Sequence, residues 1–163
     1  MNTRFANTLF RSTGGYAALA LRIPAGVILM AHGAQKLFGW FGGYGLEGTG
    51  QWMASIGLEP GYLMALLAGS AEFFGGIALL LGLLTRPAAI VSAFTMLVAI
   101  FSVHFSNGLF MSNNGYEYAL SLFAITLALS IQGAGRFAID NLLLAQFTGA
   151  VQGQGSTARN AAA

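Results

Sequence analysis

The chain has 163 residues, a length that suits one domain of about 150 residues, and its 7 Lys and Arg with 5 Asp and Glu make up only 7% of it. Soluble domains carry about 25% charged residues, so with 56% hydrophobic residues the composition excludes both a water-soluble globule and a disordered chain. The 23 glycines follow no collagen period, and a net charge of +2 with no basic cluster excludes nucleic acid as a natural partner. The absence of cysteine removes disulfides, thiolate metal sites, iron-sulfur clusters and thiol redox chemistry, so any redox role needs a cofactor from elsewhere.

What remains is an all-α polytopic membrane protein in contact with the lipid bilayer. Residues 1–15 read as a cytoplasmic N-terminal segment. Residues 16–140 read as a transmembrane four-helix bundle, and 141–163 as a C-terminal tail, disordered from about 150. A spanning helix needs about 20 mostly apolar residues. Four runs qualify or nearly so, at residues 16–37, 62–84, 88–104 and 117–131, the last two short. Arg22 interrupts the first run and no clean small-x-small cleavage site follows, so the run is a retained helix and not a secretory signal. Pro87 sits where a first helical turn tolerates it, and Gly133 with Gly135 stops the fourth helix.

Orientation follows from the basic residues. Arg4, Arg11, Arg86, Arg136 and Arg159 all fall on one side if four helices alternate, whereas the opposite connections hold Glu47 and Glu59 and no basic residue. Both termini are therefore expected in the cytoplasm. The long outer connection, Gly39-Trp40-Phe41-Gly42-Gly43-Tyr44-Gly45, mixes interface-seeking aromatics with glycines and reads as a lid or as an aromatic-belt loop. Residues 49–56 read as a short interfacial helix stopped by Gly57 and Pro60.

A faint internal repeat joins His32, Leu37 and Phe38 to His104, Leu109 and Phe110 at equal spacing. Glu72 and Arg86 would be answered by Glu117 and Arg136, giving two repeated helical hairpins.

Polar residues at membrane depth are the informative positions, because a charge at mid-bilayer costs ~3 kcal/mol on insertion scales. At 1.5 Å per residue, Glu72 lies roughly 15 Å below the outer end of its helix, and Arg22 about 9 Å from the inner end of the first. His32 and Lys36 are four apart and share a face near the outer end, where His104 ends the third helix and Glu117 opens the fourth. His32, Lys36 and Arg22 are the candidate ligand-binding residues, and Glu72, His104 and Glu117 the candidate catalytic residues. The bland reading makes Lys36 a snorkelling cation and Glu72 a structural ion-pair partner, with Arg22 the nearest cation by position. Ala71, Gly75, Ala78 and Gly82 form a small-residue stripe that lets another helix approach. The two histidines with Glu72 or Glu117 match the ligand types of a two-His, one-carboxylate site or of bis-histidine haem. The spacing specifies neither, and no metal is assigned. No phosphate loop, dinucleotide fingerprint, zincin motif or serine-hydrolase elbow occurs.

These residues resemble the DoxX family of small bacterial four-helix membrane proteins over about residues 20–140. The pattern is carried by Leu21-Arg22, His32-Gly33, Lys36-Leu37-Phe38-Gly39, Gly57-Leu58 with Pro60, and Glu72 with Gly75-Gly76. It continues through Gly82-Leu83-Leu84-Thr85-Arg86, Met96, His104, Gly108, Phe110, Glu117, and Gly133-Ala134-Gly135-Arg136 with Asp140. Ala138 stands where a serine is expected before that aspartate. The resemblance implies the bacterial inner membrane and a redox-accessory role. Some relatives are similar to the membrane subunit of thiosulfate:quinone oxidoreductase, and others are linked to membrane-associated oxidant and thiol-stress defence.

Three functions follow. The first is a quinone-linked subunit, in which His32 and Lys36 hold the head group and Glu72, His104 and Glu117 move protons. A soluble redox partner protein or a bound cofactor would supply electrons. The second is a small proton-coupled carrier or binding protein for a metabolite or anion, with Arg22 and Lys36 holding the charge and a homo-oligomer making up for the few helices. The third is a membrane scaffold for soluble partners.

Overall fold

The computed structural model describes residues 3–147. Its helices are α1 (Thr3–Phe10), α2 (Gly15–Phe38), α3 (Gly45–Ser55), α4 (Gly61–Leu81), α5 (Thr85–Ala99) and α6 (Glu117–Gln132). Residues 139–147 are also helical, and the tail expected to be disordered from about 150 lies outside the described residues. The four apolar runs thus become α2, α4, α5 and α6, and the interfacial helix becomes α3. No strand occurs among the described residues.

Three helices are long and apolar enough to cross a membrane: α2, α4, and α5 with its extension through residue 107. α6 is a shorter apolar helix. Glycines in the left-handed region terminate two of them, Gly39 (φ 72°) after α2 and Gly82 (φ 63°) after α4. α5 departs from regular α geometry at its end, running through a π turn (Ile100–His104) and a 3-10 turn (Phe105–Asn107).

α2 and α5 each pack against both α4 and α6, so the four apolar helices form a closed ring, with α3 laid against α4 and α2 at one end. We call that the distal end. The basal end holds the start of α2 and the turn from α4 to α5. Backbone contact is closest between α2 and α4. A Cβ on Gly33 would run into the main chain of Phe73, and one on Gly76 into Met30 N and Gly26 O. Small residues at both positions let the two helices touch, which in lipid replaces hydrophobic association as the source of packing energy. The expected stripe divides in the structure: Gly75 faces Ser92 of α5, Gly76 faces α2, and Gly82 is the left-handed cap.

Outward faces are apolar. Leu67, Phe74, Phe94, Phe101 and Ile131 are all more than half exposed. An exposed surface of that kind is a liability in water and ordinary against acyl chains.

The basal end is held by main-chain capture of two charges. Arg22, 1% exposed, uses all five of its N–H donors on carbonyl oxygens: Nε on Ala134 (3.0 Å), one terminal nitrogen on Leu79 and Leu80 (3.0 and 2.5 Å), the other on Arg136 and Phe137 (3.2 and 2.6 Å). Leu79 and Leu80 lie in the last turn of α4, where the carbonyl end of a helix favours a cation. The expected pairing of Arg22 with Glu72 is therefore corrected. Asp140, also 1% exposed, accepts the N–H groups of Leu84 (2.7 Å) and Thr85 (2.9 Å) and so caps the start of α5.

Candidate functional site

At the distal half of the ring the four helices and α3 line an open cavity of about 800 Å³. Its floor is apolar, built from Leu29, Met96 and Leu122, one each from α2, α5 and α6. Its polar wall contains His32, Lys36, Glu72 and His104, four of the six residues singled out by the sequence. α3 and the turn before it supply Tyr44, Thr49, Trp52 and Met53 to the distal side. The connection read as a lid or a belt loop therefore lines the cavity.

Helix register explains the convergence. His32 and Lys36 lie one turn apart on α2, and the glycine contacts that bring α4 close set Glu72 against them. Lys36 Nζ donates to Glu72 Oε2 at 2.6 Å, with the side chains 24% and 5% exposed. A carboxylate this enclosed needs a cation or a donor, and the geometry supplies one group that is both. The ring of His32 stands 5.8 Å from that of Tyr118, at an angle of 51°. His104, at the end of the π turn, donates from Nδ1 to the main-chain oxygen of Asn114 at 2.8 Å.

Arg22 and Glu117 are not brought to the cavity. Arg22 is in the basal carbonyl cluster, and Glu117 Oε1 accepts the N–H of Met111 at 2.7 Å in the first turn of α6. Glu72 lies in mid-α4 whereas Glu117 begins α6, so the acidic residues of the two apparent repeat halves sit at different depths.

Sequence reasoning passed over Tyr118, Trp52 and Asn114, all of which line the cavity. Tyr118 carried a readable signal: it is one turn before Leu122, on the side of α6 that turns inward. Asn114 carried none, because its contribution is a main-chain carbonyl. No group of three or more His, Cys, Asp or Glu able to hold a metal ion occurs among the described residues.

The DoxX family model matches residues 17–105. The chain is 37% identical over 122 residues to the Bacillus subtilis (strain 168) protein named "Putative oxidoreductase CatD", covering 75% of this chain and 83% of that protein. It is 39% identical over 111 residues to "Inner membrane protein YqjF" of Escherichia coli (strain K12), covering 64% and 79%. A Haemophilus influenzae protein of unassigned function is 34% identical over 133 residues, covering 77% and 90%. No solved structure matches the chain.

Proposed function

This chain belongs to the DoxX family, and on that premise we propose that it is a quinone-linked or redox-accessory subunit of a membrane oxidoreductase system. The name of the Bacillus subtilis relative supports an oxidoreductase setting, and that of the Escherichia coli relative an inner-membrane one. The observation that carries the reading is the cavity itself. Its volume of about 800 Å³ falls within the roughly 300–1,000 Å³ of small-molecule sites. Largely apolar walls suit a flat, lipid-soluble ring, and the polar groups on one side suit its oxygens.

A quinone, when bound, supplies two-electron, two-proton carrier chemistry. This chain supplies the surroundings. His32 and Lys36 are the ligand-binding residues, with Tyr118 added as a hydroxyl donor beside His32. Glu72 and His104 hold and move protons, Glu72 through the hydrogen bond it shares with Lys36. α3 limits the entry of water at the distal side. Arg22 and Glu117 act as positioning residues, since their polar atoms are engaged by main-chain groups. Electrons come from a soluble redox partner protein or a bound cofactor, because the chain has no cysteine and no electron-carrying motif of its own.

Two observations set this reading above the anion carrier. The charge of Lys36 is already balanced by Glu72, and Arg22 has every donor on a carbonyl. Lys36 therefore keeps N–H donors for a neutral head group, while neither cation offers an uncompensated charge to an anion.

The test is a dithionite-reduced minus air-oxidised difference spectrum of protein purified gently from its native membrane. A quinone-type ultraviolet change, lost in His32→Ala and Glu72→Gln, is expected. A flat spectrum overturns the reading.

A further inference from the structure

We propose that Asn114 is the positioning residue for His104: its main-chain carbonyl, held by the loop that Glu117 closes, fixes the proton on Nδ1 and presents Nε2 toward the cavity. A carbonyl oxygen only accepts, so the 2.8 Å contact between His104 Nδ1 and Asn114 O requires the proton on Nδ1. A neutral imidazole has one N–H, which leaves Nε2 as an acceptor. His104 lines the cavity, and Nδ1 is already engaged. Nε2 is then the ring nitrogen available to a ligand.

The loop around this carbonyl is tightly knit. Asn114 has φ 59° and ψ 30°, a left-handed conformation that Asn tolerates better than most residues. Its N–H donates to Met111 O, that of Gly115 to Phe110 O, and that of Glu117 to Leu109 O, at 2.9, 3.0 and 2.9 Å. Glu117 Oε1 accepts Met111 N–H, closing the loop from the helix side. Asn107 Nδ2 also donates to Asn114 O, at 3.3 Å, so two side chains converge on one carbonyl. The π turn ending at His104 completes the arrangement, since the wider turn changes the direction in which its last side chain points.

The consequence is an acceptor at a fixed place. A ligand hydroxyl donates to Nε2, and a proton arriving there does so without a change of tautomer. That consequence rests on the reading of the cavity as a ligand site, whereas the tautomer does not.

The chain has two histidines, so His32→Gln leaves His104 alone in a ¹⁵N-histidine spectrum of the protein in lipid nanodiscs. With the ring neutral, Nδ1 is expected at a pyrrole-type shift and Nε2 at a pyridine-type shift. Asn114→Gly, which keeps the left-handed backbone and the carbonyl, should preserve this pattern. Asn114→Val, whose β-branched side chain disfavours that backbone, should give a mixture of tautomers. A wild-type His104 protonated on Nε2 overturns the proposal, and needs no variant to be seen. So does an unchanged pattern in a folded Asn114→Val protein. If the Nδ1–H form is found but no quinone binds, the cavity reading fails and this one stands.

Discussion

Lys36 Nζ and Glu72 Oε2 are 2.6 Å apart, and this contact joins α2 to α4 on the wall of the cavity. Glu72 is the more enclosed partner at 5% exposure, so it loses more when the pair is broken. Removing one member of a buried pair typically costs about 3–5 kcal/mol, because the other is left uncompensated. Lys36→Met should therefore lower the thermal unfolding temperature in detergent more than the double variant Lys36→Met with Glu72→Leu. Equal unfolding temperatures would show that the pair carries no mutual dependence.

Arg22 gives a sharper stability prediction. Lysine has three donors where five are used, so Arg22→Lys loses at least two charge-assisted bonds to buried carbonyls. At about 1.5–3 kcal/mol each, a loss of about 3 kcal/mol or more is expected. Intrinsic fluorescence should report the lowered unfolding temperature. Ligand affinity of the folded fraction should not change, since Arg22 does not line the cavity.

The contrast between these residues shows what was legible in the sequence. Helix register alone placed His32, Lys36, His104 and Glu117 at one depth with Glu72 beneath, because the rise per residue along a helix is fixed. It did not say which faces converge, and Glu117 does not reach the cavity. The same arithmetic could not say which cation meets Glu72. That depends on the face α4 turns toward α2, set by Gly33 and Gly76 touching opposite backbones. Arg22 and Asp140 were visible as charges, but their partners are main-chain groups far along the chain. Residue type does not advertise a carbonyl. Asn114 is the extreme case, contributing to the site through an atom that every residue has.

Asp140→Ala removes the acceptor for two N–H groups at the start of α5, one of them on Leu84, which sits at φ 47°. Loss of a helix cap costs about 0.5–2 kcal/mol. Asp140→Asn, keeping one acceptor oxygen, should lose less. The order wild type, Asn, Ala in unfolding temperature is the check, and an Asn variant as unstable as Ala would contradict the capping role.

Orientation has its own test. Arg86 donates to Arg11 O and Ser130 O, which gathers basic residues at the basal end. By the positive-inside rule we propose that this end faces the cytoplasm. The chain has no cysteine, so single substitutions report cleanly. Asn113→Cys should react with an impermeant maleimide in cells whose outer membrane alone is opened, and Ser12→Cys only after the inner membrane is breached.

The central claim is that the cavity holds a quinone, and Trp52 on its wall can report occupancy directly. The chain has two tryptophans, so Trp40→Phe leaves Trp52 as the sole indole. Titrating a short-chain quinone into that protein in nanodiscs should give saturable quenching, with affinity at least about 10-fold weaker when His32→Ala or His104→Gln is added, the loss of roughly one hydrogen bond. Quenching that rises linearly without saturation, or that is identical in all three proteins, would contradict the account.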